Sequence, residues 1–174
     1  MNHADHVNLL RGGVPAPGGT WADFGSGMGA FTLALAELIG PGSVIHSIDR
    51  DAHALAVQAR EVRRRFPQVT LHTQCHDYAR PLALPPLDGI IAANTLHFQR
   101  DALPVVRLLK SYLKEAGRMI VVEYNIGVGN FAVPHPLPFT EWQRLAERCG
   151  FAHTELLATR PSRFLHQIYS AVSW

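Results

Sequence analysis

The chain has 174 residues, 47% of them hydrophobic and 17% charged, which predicts one domain with a real core and excludes a disordered polypeptide. A net charge of +2 implies no general attraction to nucleic acid, and two cysteines, Cys75 and Cys149, are too few for a disulfide framework, so a reducing cytoplasm is expected. The polar residues after Met1 are no signal peptide, and no apolar run approaches the roughly 18–20 residues of a membrane helix.

A short helix is predicted over Ala4–Leu10, broken by the Gly- and Pro-dense loop Gly12–Gly19. Thr20–Phe24 reads as a first strand, Gly25–Gly29 as a turn, and Ala30–Ile39 as a helix stopped by Gly40-Pro41-Gly42. Ser43–Ile48 reads as the second strand, ending at Asp49. Ala52–Phe66 is the second main helix, ended by Pro67, and Val69–Gln74 alternates like a third strand. After the proline-bearing loop His76–Pro86, Leu87–Ala93 is a near-continuous apolar run, as in a strand covered on both faces.

Asp101–Leu113 is the next helix, with Asp101 as N-cap, and Gly117 introduces the strand Arg118–Tyr124. Asn125–Pro138 is a long loop, the length at which loops serve as lids or binding segments. Thr140 is the expected N-cap of a helix running to Cys149 and stopped by Gly150. Phe151–Ala158 and Phe164–Val172 read as two closing strands in an antiparallel hairpin. The alternation of strands and helices predicts an α/β fold with a mainly parallel sheet.

The strongest local signal is Asp23-Phe24-Gly25-Ser26-Gly27-Met28-Gly29, between a strand and a helix. Glycines suit a tight turn that a ligand must approach closely, and the following helix aims its first amides there. Such a turn can also exist without a ligand, and Gly25-x-Gly27-x-x-Ala30 fits the dinucleotide pattern as well. Asp49 ends the second strand, where a carboxylate can accept both hydroxyl protons of a ribose. Asp51 is the better N-cap for the next helix, which frees Asp49 for a ligand.

Together these residues resemble the class I S-adenosylmethionine-dependent methyltransferase family, in which an acid closing the first strand is followed by x-Gly-x-Gly-x-Gly. The resemblance spans nearly the whole chain, down to the tail Phe139-Thr140-Glu141-Trp142 and Cys149-Gly150-Phe151 with its closing hairpin. It implies a Rossmann-like three-layer sandwich with a mainly parallel seven-stranded sheet and an antiparallel C-terminal hairpin. It also implies a cofactor site with Asp23, Gly25, Ser26, Gly27 and Gly29 beside the methionine part, Asp49 at the ribose and Asp77 by the adenine, and with Arg50, His76, Tyr78 and Asn94 as further cofactor-binding residues. The donor would be S-adenosylmethionine and the product S-adenosylhomocysteine.

The segment Asn94-Thr95-Leu96-His97-Phe98 occupies the family's substrate-facing position. It lacks the Asn/Asp-Pro-Pro-aromatic motif of enzymes that methylate base or glutamine nitrogens, which argues against such nitrogens and leaves RNA or protein open. With little sequence left for a separate substrate domain, a small-molecule acceptor is expected and nucleic acid is not. His97 is the candidate general base, a role needed only if the acceptor carries a proton; a residue that merely packs is the alternative. Glu123 and Tyr124 either face the pocket or close a strand. Met1–Gly19 and Asn125–Pro138 are left to cover the site, with Phe131, Pro134, His135 and Phe139 on the acceptor side.

No metal site is expected from His72, Cys75, His76 and Asp77, which lack ligand spacing. Arg63-Arg64-Arg65 reads as a solvated helix face. Two other functions stay open: an NAD-dependent oxidoreductase, and a non-catalytic protein that binds the adenosyl cofactor.

Overall fold

The computed structural model describes residues 1–162 and 165–174. In chain order the elements are α1 (His3–Arg11), β1 (Thr20–Phe24), α2 (Ala30–Ile39), β2 (Val44–Asp49), α3 (Ala52–Arg65), β3 (Thr70–Cys75) and β4 (Leu87–Ala93). A 3₁₀ turn (Leu96–Phe98), α4 (Leu103–Lys110), β5 (Leu113–Tyr124), α5 (Phe139–Arg148), β6 (Thr154–Pro161) and β7 (Gln167–Ser173) follow. The seven strands form one sheet in the order β3-β2-β1-β4-β5-β7-β6. Only β7 runs against the rest: it lies antiparallel between β5 and β6. This is the mainly parallel, Rossmann-like sheet with a closing hairpin that the sequence implies.

Alternation along each strand feeds two cores, one per face. Ala22, Phe24, Ile90, Ala92, Met119 and Val121 join α4 and α5 on one side. Trp21, Ile45, Ile91, Ala93, Ile120 and Val122 meet α1 and α2 on the other. Strands with no solvated face therefore read as unbroken apolar runs, and β1, α2 and β4 begin and end where the sequence places them.

Elsewhere the bounds move for local reasons. The helix expected over Asp101–Leu113 is Leu103–Lys110, and Asp101 caps it from outside, its Oδ1 accepting the Leu103 N–H at 3.0 Å. Leu113 is drawn into β5 by pairing with Leu87, so β5 begins five residues before Arg118, across a bulge. Thr140 does not cap α5: the carbonyl of Pro138 accepts from both Glu141 and Trp142, so Thr140 lies in the first turn. Phe151 is a buried plug on the core rather than the first residue of β6. The expected start of the last strand, Phe164, lies outside the described residues, as does Arg163 of the connection. Among the described residues, no helix is long and apolar enough to cross a membrane.

Candidate functional site

The carboxyl ends of β1, β2 and β4 converge on a cavity of about 490 Å³ lined by Gly25, Gly27, Asp49, Arg50, Tyr78, Asn94, Thr95, Phe98 and Gln99. Parallel strands all present their C-terminal ends on one edge, and this is where α/β sheets hold ligands. Six of the twelve sequence-predicted residues are on this wall: Gly25, Gly27, Asp49, Arg50, Tyr78 and Asn94.

The Gly-rich turn needs its glycines for contact as much as for backbone. A Cβ on Gly25 (φ +73°) would sit 2.1 Å from Thr95 Oγ1, and one on Gly29 (φ +84°) 2.4 Å from Gln58 Cβ. The turn is thus clamped between the post-β4 segment and α3. Gln58 is fully buried beneath it, donating to Ser26 Oγ at 2.8 Å and to the Gly27 carbonyl at 3.1 Å. Ser26 therefore supports the turn from below, and Ser47 Oγ lies 2.7 Å from its hydroxyl.

Asp49 is oriented by two backbone amides: Gly27 N–H donates to Oδ2 at 2.7 Å and Asp51 N–H to Oδ1 at 2.9 Å. A carboxylate has about four acceptor positions, so about two remain, the number a ribose diol requires. Asp51 caps α3 through His53 and Ala54, leaving Asp49 free for this.

Asp23 does not reach the wall. It is 1% exposed, Thr32 Oγ1 donates to its Oδ2 at 2.6 Å, and Oδ1 is buried with no partner among the described residues. Burial pushes its carboxyl up to about 7, against the lowering effect of the Thr32 hydrogen bond. Asn94, held at φ +53°, also has a buried side-chain oxygen without a partner among the described residues, and Asn94 does line the cavity. Both oxygens are buried acceptors left unsatisfied at the carboxyl edge of the sheet.

Asp77 stands outside the wall and ion-pairs with Arg50 at 2.6 Å, which holds its carboxyl below the usual range. His76 bonds through Nδ1 to the Asp77 carbonyl, 2.9 Å away. The Tyr78 hydroxyl donates to the Thr95 carbonyl at 2.9 Å and accepts from Gln99 at 2.9 Å. Thr95, Phe98 and Gln99 are wall residues that the sequence did not assign to the cofactor. Thr95 and Phe98 belong to the segment expected to face the substrate, and closeness to that segment is the one signal for Gln99.

His97 lines neither this cavity nor the one beside it. It is 2% exposed, and its Nδ1 lies 2.6 Å from Glu123 Oε2. The other oxygen of Glu123 accepts the amides of Thr95, Leu96 and His97 at 3.2, 2.9 and 3.3 Å. Glu123, itself fully buried at the end of β5, is the anchor of the whole post-β4 turn. The 125–138 loop is tied to the same turn by His135 N–H donating to the His97 carbonyl at 3.0 Å.

A second cavity, of about 290 Å³, lies between this turn and α4 on one side and α5 on the other, and Gln99 lines both cavities. His135 borders the second cavity, whereas Phe131 is fully exposed and Phe139 packs on the Tyr169 ring at 5.7 Å. Phe131, expected on the acceptor side, lines neither cavity. Among the described residues, no three metal-ligating side chains group together.

A family model described as a methyltransferase domain matches residues 16–163. The ribosomal RNA small subunit methyltransferase H of Acidobacterium capsulatum is 36% identical over 96 residues, half of this chain but only 30% of that protein. The solved YcgJ protein of Bacillus subtilis superposes with a TM-score of 0.76 at 12% identity, covering 98% of each chain. The magnesium protoporphyrin IX methyltransferase of Synechocystis PCC 6803, solved with S-adenosylmethionine bound, gives 0.68 at 18% identity, covering 98% of this chain and 77% of that one.

Proposed function

Because the chain belongs to the methyltransferase-domain family, we propose that it transfers a methyl group from S-adenosylmethionine to a small-molecule acceptor, leaving S-adenosylhomocysteine. One observation carries this reading. The Gly-rich turn, an Asp49 carboxylate with free acceptor capacity and Asn94 wall one cavity of about 490 Å³. Small-ligand sites run to roughly 300–1,000 Å³.

When bound, the cofactor supplies an already activated methyl group. The chain's task is therefore to hold and align. Asp49 binds the ribose hydroxyls, with Arg50 and Asp77 closing that end. Asp23 sits behind the turn as a buried carboxyl for a cationic group, and Asn94 orients from β4. Gly25, Gly27 and Gly29 let the backbone approach, and Ser26 fixes the turn through Gln58. His76 and Tyr78 set the segment after β3. We assign His97 to positioning, since a base must reach its acceptor and this ring stands behind the wall.

We take residues 1–174 as one domain, with α1 and the 125–138 loop as its cover. The free thiols of Cys75 and Cys149 agree with a cytoplasmic setting. An RNA acceptor is the second reading, drawn from the Acidobacterium relative. The volume of the cavity beside the cofactor site, about 290 Å³, supports the small molecule.

Calorimetric titration with S-adenosylmethionine, S-adenosylhomocysteine and NADH tests the reading on wild type and on Asp49→Ala. Micromolar binding of the adenosyl ligands, about −8 kcal/mol, is expected, lost in the variant and absent for NADH. Binding of NADH alone would make the chain an oxidoreductase instead.

A further inference from the structure

We propose that the cavity between α4 and α5 seats the methyl acceptor and selects an anion, a carboxylate or phosphate group on a small apolar body, with Arg100 and Arg148 as its counter-charges. The inference rests on the methyl-transfer reading and adds the substrate class.

Position is the first argument. The cavity lies on the carboxyl side of β4, and Gln99 lines both it and the cofactor cavity. A molecule seated there is one side chain away from the other ligand. Among the described residues, no other is common to the two walls.

Charge is the second. The floor is apolar, with Leu96, Leu103, Leu137 and Leu145, while the rim carries Arg100, Arg144 and Arg148 against Asp101 and Glu141. Glu141 pairs with Arg144 at 2.7 Å, and Asp101, whose Oδ1 accepts the Leu103 amide at 3.0 Å, keeps its charge, so three guanidinium groups stand against two carboxylates and the rim is net positive. Among the described residues, neither Arg100 nor Arg148 pairs with a carboxyl group. The Arg148 backbone is itself fixed, its carbonyl accepting from Arg107 at 3.2 Å. Two guanidinium groups facing an apolar hollow make a site for an amphipathic anion, because planar guanidinium forks match carboxylate and phosphate oxygens.

Size is the third. About 290 Å³ matches a small molecule. The basic run Arg63–Arg65 lies on α3, which packs beside α2 on the opposite face of the sheet, and so cannot extend this rim into a track for RNA.

The test uses ¹⁵N-labelled protein saturated with S-adenosylhomocysteine and titrated with phenylacetate, phenyl phosphate and the neutral phenylacetamide. The anions are expected to shift the amides of Gln99, Leu103 and Leu137 and to bind at least tenfold tighter than the amide. Arg100→Gln combined with Arg148→Gln should abolish that preference and leave S-adenosylhomocysteine affinity unchanged, since neither arginine borders the cofactor cavity. Arg148→Lys should keep part of it. Comparison of the two anions identifies the preferred headgroup. Equal binding of phenylacetamide, a preference surviving the double substitution, or shifts produced only by a short RNA duplex would each overturn the proposal. Failure of S-adenosylhomocysteine itself to bind would instead sink the methyl-transfer reading.

Discussion

Asp23 holds a carboxyl group in a place where ionising it is costly. Its folded value of about 7 stands above the ordinary 3.8, chiefly through burial. The sign follows from proton counts. Between those two values the folded chain keeps a proton that the unfolded chain has released, so raising the pH favours unfolding. The loss accumulates from about pH 4 to pH 7 and then levels off. Each unit is worth about 1.4 kcal/mol, so the full span is about 4 kcal/mol. Asp23→Asn cannot titrate. In urea melts at pH 4.5, 5.5, 6.5 and 7.5 its stability relative to wild type should rise with pH by a few kcal/mol and then stay constant. Parallel pH profiles for the two proteins would show that Asp23 is not held neutral.

The element that depends most on one side chain is the turn Leu96–Phe98. A 3₁₀ turn satisfies few of its own amides, and here three N–H groups at Thr95, Leu96 and His97 converge on one oxygen of Glu123. Glu123→Ala leaves those donors and His97 Nδ1 without that acceptor in a buried place. At about 1–3 kcal/mol for each stranded polar group, the expected loss is about 3 kcal/mol or more. Affinity for S-adenosylhomocysteine should fall with it, because Thr95, Phe98 and Gln99 form the cavity wall on that turn. Glu123→Gln keeps an oxygen for the amides and should lose far less. Chemical denaturation of the two variants decides the matter, and an alanine variant within 0.5 kcal/mol of wild type would show that the turn holds itself. No local pattern foretold this anchor. Glu123 was legible as a strand end, yet its partners are 26 to 28 residues away in the chain. The same holds for Gln58, whose place on α3 gives no hint that it props a turn 31 and 32 residues earlier.

For the whole molecule, what was readable in the sequence is what neighbouring residues decide. The Gly-rich turn, Asp49 after β2 and the apolar run of β4 are local, and they stand where the sequence puts them. The insertion of β7 between β5 and β6 is set by long-range pairing, which turn signals do not encode. Such pairing also makes the site part of the global fold. The cavity is walled from the ends of β1, β2 and β4, the centre of a continuous sheet with a core on each face. A ligand there should therefore oppose global unfolding and not merely order a loop. At one hundred times its dissociation constant, a ligand bound only by the folded chain adds about 2.7 kcal/mol. For a chain of 150–250 residues, each kcal/mol moves the melting midpoint by about 2–4 °C. S-adenosylhomocysteine should thus raise Tm by about 5–11 °C in a calorimetric scan, NADH should not, and Asp49→Ala should lose most of the gain. A ligand that binds tightly by titration yet leaves Tm unmoved would mean that the central strands and the cavity unfold independently, and the coupling between fold and site drawn from this sheet would be wrong.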